Sequence, residues 1–450
     1  MAAASQRPSH TVRDDGHQLL APHRRRQFKG RIGQVVTGSL ATGLVAAALL
    51  VVAPVTPPTE AAVTAVILFG WALGWAMLAA GSVRFTDQPQ RWAAALALFM
   101  GVSGLLLIVL GSPALEVLAW VWPPTLMALV AWSLTRAHRA LHSRTRRWVV
   151  YPTLTLLAAA SVAGGYQTVS AAAEAAANPV PGRLVDVGGH RLHLHCTGTG
   201  SPTVVLEPGA GLTSSDVDLI VPVVARATRV CAYDRAGRGW SEPADPVADG
   251  PQDATQIATD LHTLLHNGHV PGPYVLAGHS FGGLYTLTYA ARYPGEVAGM
   301  VLIDSTAPAP DPVPSGAPAE STSDLPGRVS ALLSTSGRLG IGRLVGTPTA
   351  NYLRSAIDEY LQGNASMSEA AALRDFIDKP LIVLEAGNGH DAQWSAAQDA
   401  LATLSTNSVH RVVNGVDHGG LLGDVNGATA TAGAILDVVT SARVGQPLAE

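Results

Sequence analysis

The first third of the chain consists of long apolar runs separated by short polar connectors. These runs contain almost no ionisable side chains except Glu116. Each run has roughly the length that a helix needs to cross the hydrocarbon core of a bilayer. The pattern predicts a transmembrane module of about five helices over residues 32–166. The expected spans are Ile32–Val52, Ala61–Ala80, Trp92–Leu110, Leu115–Leu134 and Val149–Gly164.

Basic residues alternate between the connectors and orient this module. Seven Lys or Arg lie in residues 1–31, which we expect to be disordered; none lies in residues 53–60, and five Arg lie in residues 136–147. The positive-inside rule places the N-terminus in the cytoplasm, so that five spans leave everything after about residue 170 outside it. The fifth span carries Pro152 and is the weakest; without it, the second half would face the cytoplasm.

A different pattern begins at residue 183, after a small-residue stretch over 167–182 that we interpret as a linker. Short β-branched runs alternate with longer amphipathic stretches, which is typical of a doubly wound α/β sheet. The predicted strands are Leu184–Val187, Leu192–His195, Thr203–Leu206, Arg229–Tyr233, Tyr274–Ala277, Met300–Ile303, Leu381–Leu384 and Val409–Val413. The predicted helices are Asp216–Arg226, Gln252–Asn267, Gly282–Tyr293, Ala392–Leu404 and Gly420–Val439.

Residues 305–379 interrupt the alternation of strand and helix. The interruption opens with a Pro-rich loop and continues with predicted helices around Val329–Leu333, Ala350–Leu361 and Ser368–Ile377. An insertion at the active-site end of a sheet is where a lid would lie, and a disordered insert is the alternative.

Composition narrows the function classes. Hydrophobic residues make up 48% of the chain and charged residues 14%, which is unusual for a wholly soluble protein. A net charge of −4 and the lack of a basic stripe argue against nucleic acid as a partner. The two cysteines, Cys196 and Cys231, rule out a multi-cysteine zinc site.

The motif that carries chemistry is Gly278-x-Ser280-x-Gly282. An apolar strand runs into it and an amphipathic helix runs out of it, as a nucleophile elbow requires. In such an elbow the serine occupies a strained turn, and the glycines let strand and helix approach each other closely. Ser280 is therefore the candidate nucleophile.

Over residues 183–440 the chain resembles the α/β-hydrolase family. The resemblance rests on Gly-His-Ser-Phe-Gly-Gly at 278–283, on Asp-Arg-Ala-Gly-Arg-Gly-Trp-Ser at 234–241, and on Asp-His-Gly at 417–419. It implies a mostly parallel eight-stranded sheet in a domain over residues 183–450, with the lid insertion at 305–379. It also implies that His418 is the general base and that the strands carrying Cys196 and Cys231 are neighbours, so that these residues form either a disulfide or two buried thiols.

The acid of the implied triad has two candidates. Asp304 follows Ser280 by 24 residues, which matches the family members that take the acid from the earlier strand. Asp391 lies in the later loop that most members use, but its spacing from Gly387 departs from their pattern. We favour Asp304, with Asp391 as the alternative and Glu385 as a distant third.

The resemblance further implies an oxyanion hole made by the backbone amides of Phe281 and Ala210. Pro208-Gly209 replaces the usual His-Gly and so removes a side chain that braces the loop. The expected activity is hydrolysis of small carboxylic esters, lipophilic ones in view of the membrane, with no metal or organic cofactor. The alternatives are a proline-iminopeptidase-like peptidase and a catalytically silent binding or sensing domain.

Overall fold

A computed structural model of the chain describes residues 32–140, 146–244, 252–309, 325–340 and 350–449. The basic segment 1–31 and residues 310–324 of the Pro-rich loop lie outside the described residues.

Five helices of the N-terminal third are long and apolar enough to cross a membrane, judged by length and composition. A π-helical turn, Arg146–Val150, leads into the fifth. The helices are α1 (Ile32–Val52), α2 (Glu60–Phe85), α3 (Ala93–Leu110), α4 (Ser112–Ala140) and α5 (Tyr151–Ala177).

Glycines bring α1 and α2 into close contact. A Cβ atom on Gly43 would lie 2.7 Å from the carbonyl oxygen of Gly70, and one on Gly70 would lie 2.5 Å from the amide nitrogen of Ala47. Small residues at such crossings let two helix backbones approach each other closely. The two helices therefore form one tightly packed pair.

Helix α5 differs from the prediction at its end. The expected fifth span stopped at Gly164, and a linker was expected over residues 167–182, but α5 continues through Ala177. Residues 171–177 are six alanines and Glu174, which have high helix propensity. Only residues 178–182 connect α5 to the first strand.

The second half contains an eight-stranded sheet in the order β1-β2-β4-β3-β5-β6-β7-β8. All the predicted strands are present within three residues of their expected ends. Strand β1 pairs with β2, and β2 with β4, in antiparallel fashion, whereas the other pairs are parallel. The strands are β1 (Arg183–Asp186), β2 (Arg191–Thr197), β3 (Thr203–Glu207), β4 (Val230–Tyr233), β5 (Tyr274–His279), β6 (Val297–Ile303), β7 (Leu381–Ala386) and β8 (Ser408–Val413).

Cys196 and Cys231 are directly opposite each other in the register of β2 and β4 and form a disulfide. The expectation that these two strands are neighbours in the sheet is thus confirmed. The sequence alone left the bond open, because free cysteines are also commonly buried.

Helices cover both faces of the sheet, and two of the predicted helices are each divided in the structure. The stretch 216–226 divides into a 3₁₀ turn, Ser214–Val217, and α6, because Pro222 lacks an amide hydrogen and fits only the first turn of a helix. The last helix is interrupted at Asp424, whose backbone is extended. The helices here are α6 (Val221–Val224), α7 (Ala254–Asn267), α8 (Phe281–Arg292), α12 (Ala392–Ala402), α13 (Gly420–Gly423) and α14 (Val425–Val444), with α9 to α11 in the insertion.

The insertion contributes α9 (Leu325–Gly337), α10 (Ala350–Leu361) and α11 (Gly363–Ala370). The third helix was predicted at Ser368–Ile377, which is wrong for most of its length. Phe376 is buried in the core, and its amide donates to the carbonyl of Leu404, so tertiary packing replaces the helix there.

Helix α9 lies against the N-terminal helices. The Arg328 guanidinium donates to the carbonyl oxygen of Thr56 at 2.7 Å, and the hydroxyls of Thr335 and Thr64 are 2.9 Å apart. The insertion therefore contacts the apolar helices as well as the sheet domain.

Candidate active site

Ser280 occupies a sharp turn between β5 and α8. Its φ of 55° and ψ of −123° are uncommon for a residue with a side chain. The amide of Ser280 donates to the carbonyl of Ile303, and the amide of Gly283 donates to the carbonyl of Ser280, both at 3.0 Å. This turn lies at the carboxyl end of the parallel strands, where open α/β sheets place their ligands.

Two flanking glycines make the turn possible. A Cβ atom on Gly278 would overlap the backbone of Gly282, and one on Gly282 would overlap the carbonyl oxygen of Glu207. Neither position has space for a side chain, so the elbow and the loop after β3 are packed backbone against backbone.

Asp304 is the carboxylate that the fold brings to His418. It follows β6 directly, is fully buried, and has a φ of 45°. Its Oδ2 lies 2.6 Å from Nδ1 of His418. Because a carboxylate only accepts hydrogen bonds, Nδ1 of His418 carries the hydrogen and Nε2 is the nitrogen that can take up a proton.

Asp391 is the N-terminal cap of a helix in the structure. Its carboxylate accepts hydrogen bonds from the amides of Gln393 and Trp394, and so it caps α12. Glu385 is occupied by Ser395 and His410. Of the three candidate acids, Asp304 is thus the one that the structure places against His418.

His279 joins the elbow to His418. Its Nε2 donates to the carbonyl oxygen of His418 at 3.0 Å, and the two rings are 4.5 Å apart. Burial, together with the nearby His418, lowers the pKa of His279 to about 4. The ring of His279 is therefore neutral at physiological pH.

The loop Pro208–Gly211 passes close to Ser280. A Cβ atom on Gly209 would lie 3.0 Å from Cβ of Ser280 and 3.0 Å from Nδ1 of His279. This proximity places the next residue, Ala210, beside the elbow, and Phe281 begins α8 on its other side. Both candidate oxyanion donors are therefore neighbours of the elbow, Ala210 through the loop and Phe281 along the chain.

Comparison with known proteins agrees with this architecture. A model of the alpha/beta hydrolase family matches residues 204–432, which is just over half of the chain. The chain belongs to the alpha/beta hydrolase family.

Its relatives include an uncharacterized protein of Schizosaccharomyces pombe, 28% identical over 304 residues, and a 2-hydroxy-6-oxo-2,4-heptadienoate hydrolase of Pseudomonas putida, 31% identical over 124 residues. These alignments cover 55% and 27% of this chain, and 54% and 44% of the relatives. The chain thus spans about half the length of the curated relatives it matches. Among solved structures, an esterase of Thermogutta terrifontis is 20% identical, with a TM-score of 0.43 over 58% of this chain and 98% of the esterase.

Two residues of the hydrolase site had no part in the sequence prediction. Nε2 of His390 lies 2.6 Å from Oδ2 of Asp304, and the Trp394 indole donates to Oδ1 at 2.9 Å. Burial by itself would raise the pKa of Asp304, but hydrogen bonds from His418, Trp394 and His390 outweigh it and hold that pKa below its ordinary value. The available signal was the position of both residues just after β7, at the same edge of the sheet as Ser280.

Arg235 braces the loop that lacks the family's usual histidine. Its guanidinium donates to the carbonyl oxygens of Pro208 and Gly209, each at 2.7 Å, and to Glu207 at 2.6 Å. The Tyr233 hydroxyl donates to the second oxygen of Glu207. Burial raises the pKa of Glu207 to about 7, although Arg235 and Tyr233 oppose the shift.

Glu359 reaches the same arginine from α10 of the insertion. Its carboxylate lies 2.8 Å from Nε of Arg235 and 2.6 Å from Nη2 of Arg238, and it accepts from the amide of Gly211 at 3.3 Å. Burial favours the neutral acid, but the two arginines outweigh it and hold the pKa of Glu359 below its ordinary value. The insertion thus contributes a buried charge to the loop beside Ser280.

Asp304, His390 and His418 also offer three ligand atoms within 4.8 Å of one another, close enough to share a metal ion. Both histidines are instead hydrogen-bonded to the same oxygen of Asp304. Hydrogen bonds between the two histidines and one carboxylate oxygen therefore hold these three side chains together.

Proposed function

We propose that this alpha/beta hydrolase is a membrane-anchored serine esterase that cleaves small carboxylic esters through an acyl-enzyme. The observation that carries the proposal is the hydrogen bond between buried Asp304 and His418, beside a serine held in a strained elbow. A serine hydroxyl is a weak nucleophile until a positioned base removes its proton.

In the proposed reaction, Oγ of Ser280 attacks the ester carbonyl while Nε2 of His418 takes the hydroxyl proton. Asp304 fixes the tautomer of His418 and stabilises the imidazolium that forms. The amides of Phe281 and Ala210 bind the tetrahedral oxyanion. His418 then gives the proton to the leaving alcohol, and a water molecule, activated by the same ring, releases the acid and restores Ser280.

The insertion would act as a lid over this site. The ring of Phe281, the residue after the nucleophile, lies 5.7 Å from the ring of Tyr360 on α10. A Cβ atom on Gly363 at the start of α11 would lie 3.3 Å from the same Phe281 ring. Because these contacts adjoin the oxyanion position, the side chains of α10 and α11 would form one wall of the acyl pocket.

The membrane anchor in this proposal is α1 to α5, and the catalytic domain lies outside the cytoplasm. Three observations support it: the apolar length of the helices, the alternation of basic connectors, and the disulfide between Cys196 and Cys231. Disulfides persist in oxidising compartments and are rare in the cytosol.

The test is labelling of intact cells with a membrane-impermeant fluorophosphonate, comparing the wild type with Ser280→Ala. We expect labelling of the wild type alone, in intact cells. Labelling only after permeabilisation would retain the esterase and reverse the orientation. If neither preparation is labelled while the protein is present and folded, the esterase proposal fails and a silent binding domain takes its place.

A further inference from the structure

A cavity of about 540 Å³ lies between α2, α3, α4 and α5. Its residues come from the first halves of α2 and α4, from Met100 and Leu107 of α3, and from residues 157–172 of α5, so it lies towards the end of the helices where the hydrolase domain follows. The walls are mainly apolar and include Leu68, Trp71, Leu115, Trp120, Trp122 and Leu157.

The insertion closes one end of this cavity. Thr335, Arg338 and Leu339 at the end of α9 all line it. The Arg338 guanidinium forms a two-point ion pair with Glu60 at the start of α2, and its Nη1 lies 3.4 Å from Glu116 on α4. One segment of the hydrolase domain therefore forms part of a pocket otherwise built from apolar helices.

The charges at this end indicate what kind of molecule fits. Glu60 is nearly buried and is neutralised by Arg338, whereas the Glu116 side chain is 72% exposed and faces solvent. Among the described residues around the cavity, no buried charge is thus left over to bind a charged group. An added carboxylate would meet two acidic side chains, Glu60 and Glu116, against one arginine. The polar end favours an uncharged group that can form hydrogen bonds.

We propose that this cavity binds the hydrocarbon chain of an uncharged single-chain lipid, a long-chain ester or alcohol, with its polar end at Arg338. The volume falls in the range of about 300–1,000 Å³ that small-molecule sites occupy, and apolar walls with a few polar groups at one end are typical of them. The site is separate from the triad and does not require the esterase reaction.

The test uses the full chain in detergent, with Ser280→Ala so that an ester probe is not consumed. The probe is a monoacylglycerol brominated along its chain, because bromine quenches tryptophan fluorescence on contact. Trp71, Trp120 and Trp122 line the cavity, out of nine tryptophans in the chain. We expect saturable partial quenching that an unbrominated monoacylglycerol reverses.

Gly164→Leu should abolish this quenching. Gly164 lines the cavity, and its Cβ would lie 3.7 Å from the nearest atom, so a larger side chain can enter the cavity without displacing the backbone. The matched control is Gly38→Leu on α1, which has nothing within 4 Å of its Cβ, and we expect it to keep the quenching. Ala160→Phe, which also fills the cavity, should repeat the loss, with thermal midpoints checked for all variants.

Headgroup chemistry provides the second arm. A brominated fatty acid of the same chain length, ionised, should bind at least about tenfold more weakly than the monoacylglycerol, because of the carboxylates at the polar end. Equal quenching in Gly164→Leu and Gly38→Leu, or equal affinity for the fatty acid or a brominated phospholipid, would overturn the proposal. Loss of fluorophosphonate labelling would not, because binding is measured without the nucleophile.

Discussion

Arg235 and Glu359 form a buried ion pair, with Nε and Oε1 2.8 Å apart, that joins the insertion to the loop beside the nucleophile. The same guanidinium holds the carbonyl oxygens of Pro208 and Gly209. A change in α10 would therefore move the loop that carries one proposed oxyanion donor. The insertion is therefore connected to the loop beside Ser280 through two side chains, Glu359 and Arg235.

We predict that Glu359→Gln lowers kcat for a short-chain ester by about 10- to 100-fold with little change in KM. The amide keeps the size of the side chain but leaves Arg235 and Arg238 without their shared negative charge, and the loop loses its fixed position. Complete loss of an oxyanion donor costs about 10²–10³ in kcat, so a displaced donor should cost less. Steady-state kinetics on the full chain measures this.

Asp358→Asn is the matched control for this prediction. Asp358 is the neighbouring carboxylate on α10; it pairs with Arg354 of the same helix at 3.5 Å and interacts with Ser330 of α9. The Asp358→Asn variant should keep kcat within about twofold of the wild type, since partly exposed ion pairs along one helix contribute little to stability. If both variants lose activity equally, the coupling between Arg235 and Glu359 is not what sets the rate.

Asp304→Asn should lower kcat by about 10⁴-fold, because asparagine would no longer fix the tautomer of His418 or stabilise its charge. Asp391→Ala should cost only the N-terminal cap of α12, about 1 kcal/mol of stability, with kcat unchanged. Titration of active sites with a fluorophosphonate counts the molecules that have a reactive serine. It therefore distinguishes slow catalysis from a loss of folded enzyme. The reverse ranking of the two variants would make Asp391 the acid.

The elbow could be predicted from the sequence because its signals are local. Strand, glycine, serine, glycine and helix follow one another within about fifteen residues, and the order of serine, acid and histidine depends only on strands that were all recognised. Asp304 was within reach for the same reason, since it directly follows a predicted strand.

The bracing of the oxyanion loop could not be predicted in this way. Arg235 and Glu359 are 124 residues apart in the chain, and the second belongs to an insertion whose packing no periodic pattern specifies. His390 and Trp394 were missed because their role depends on where the loop after β7 turns. The contact of α9 with the apolar helices likewise depends on Arg328 and Arg338, which the sequence presents as ordinary surface charges.

Stability at acidic pH should depend on His279. Burial lowers its pKa to about 4, against an ordinary value of 6.5, so between these values the unfolded chain binds a proton that the folded chain does not. The free energy of unfolding therefore falls as the pH falls from 6.5 to 4, by up to about 3 kcal/mol from this residue. His279→Gln should flatten that part of the stability profile, measured by denaturation of the full chain in detergent.

The control for this prediction is His266→Gln, which replaces an exposed histidine at the end of α7. It should leave the slope between pH 6.5 and pH 4 as in the wild type. Parallel profiles for the wild type and His279→Gln would show that His279 is protonated in the folded chain.

Gly283 and Ser305 test how tightly the elbow is packed. A Cβ atom on Gly283 would overlap both Oγ and Cβ of Ser305, which is buried immediately after Asp304. Gly283→Ala should therefore destabilise the domain by about 2 kcal/mol and slow the labelling of Ser280, because the first turn of α8 must shift. Ser305→Gly alone should cost about 1 kcal/mol through the added freedom of the unfolded backbone.

The double variant should be more stable than Gly283→Ala alone, since removal of the Ser305 side chain leaves space for the new methyl group. Such a rescue corresponds to a coupling energy of about 1–3 kcal/mol, far above what independent sites show. The labelling rate should recover with it, because Ser280 accepts the hydrogen bond from the amide of Gly283. Additive losses in the double variant would mean that the helix can shift without displacing the nucleophile, and that the elbow tolerates more movement than its backbone contacts indicate.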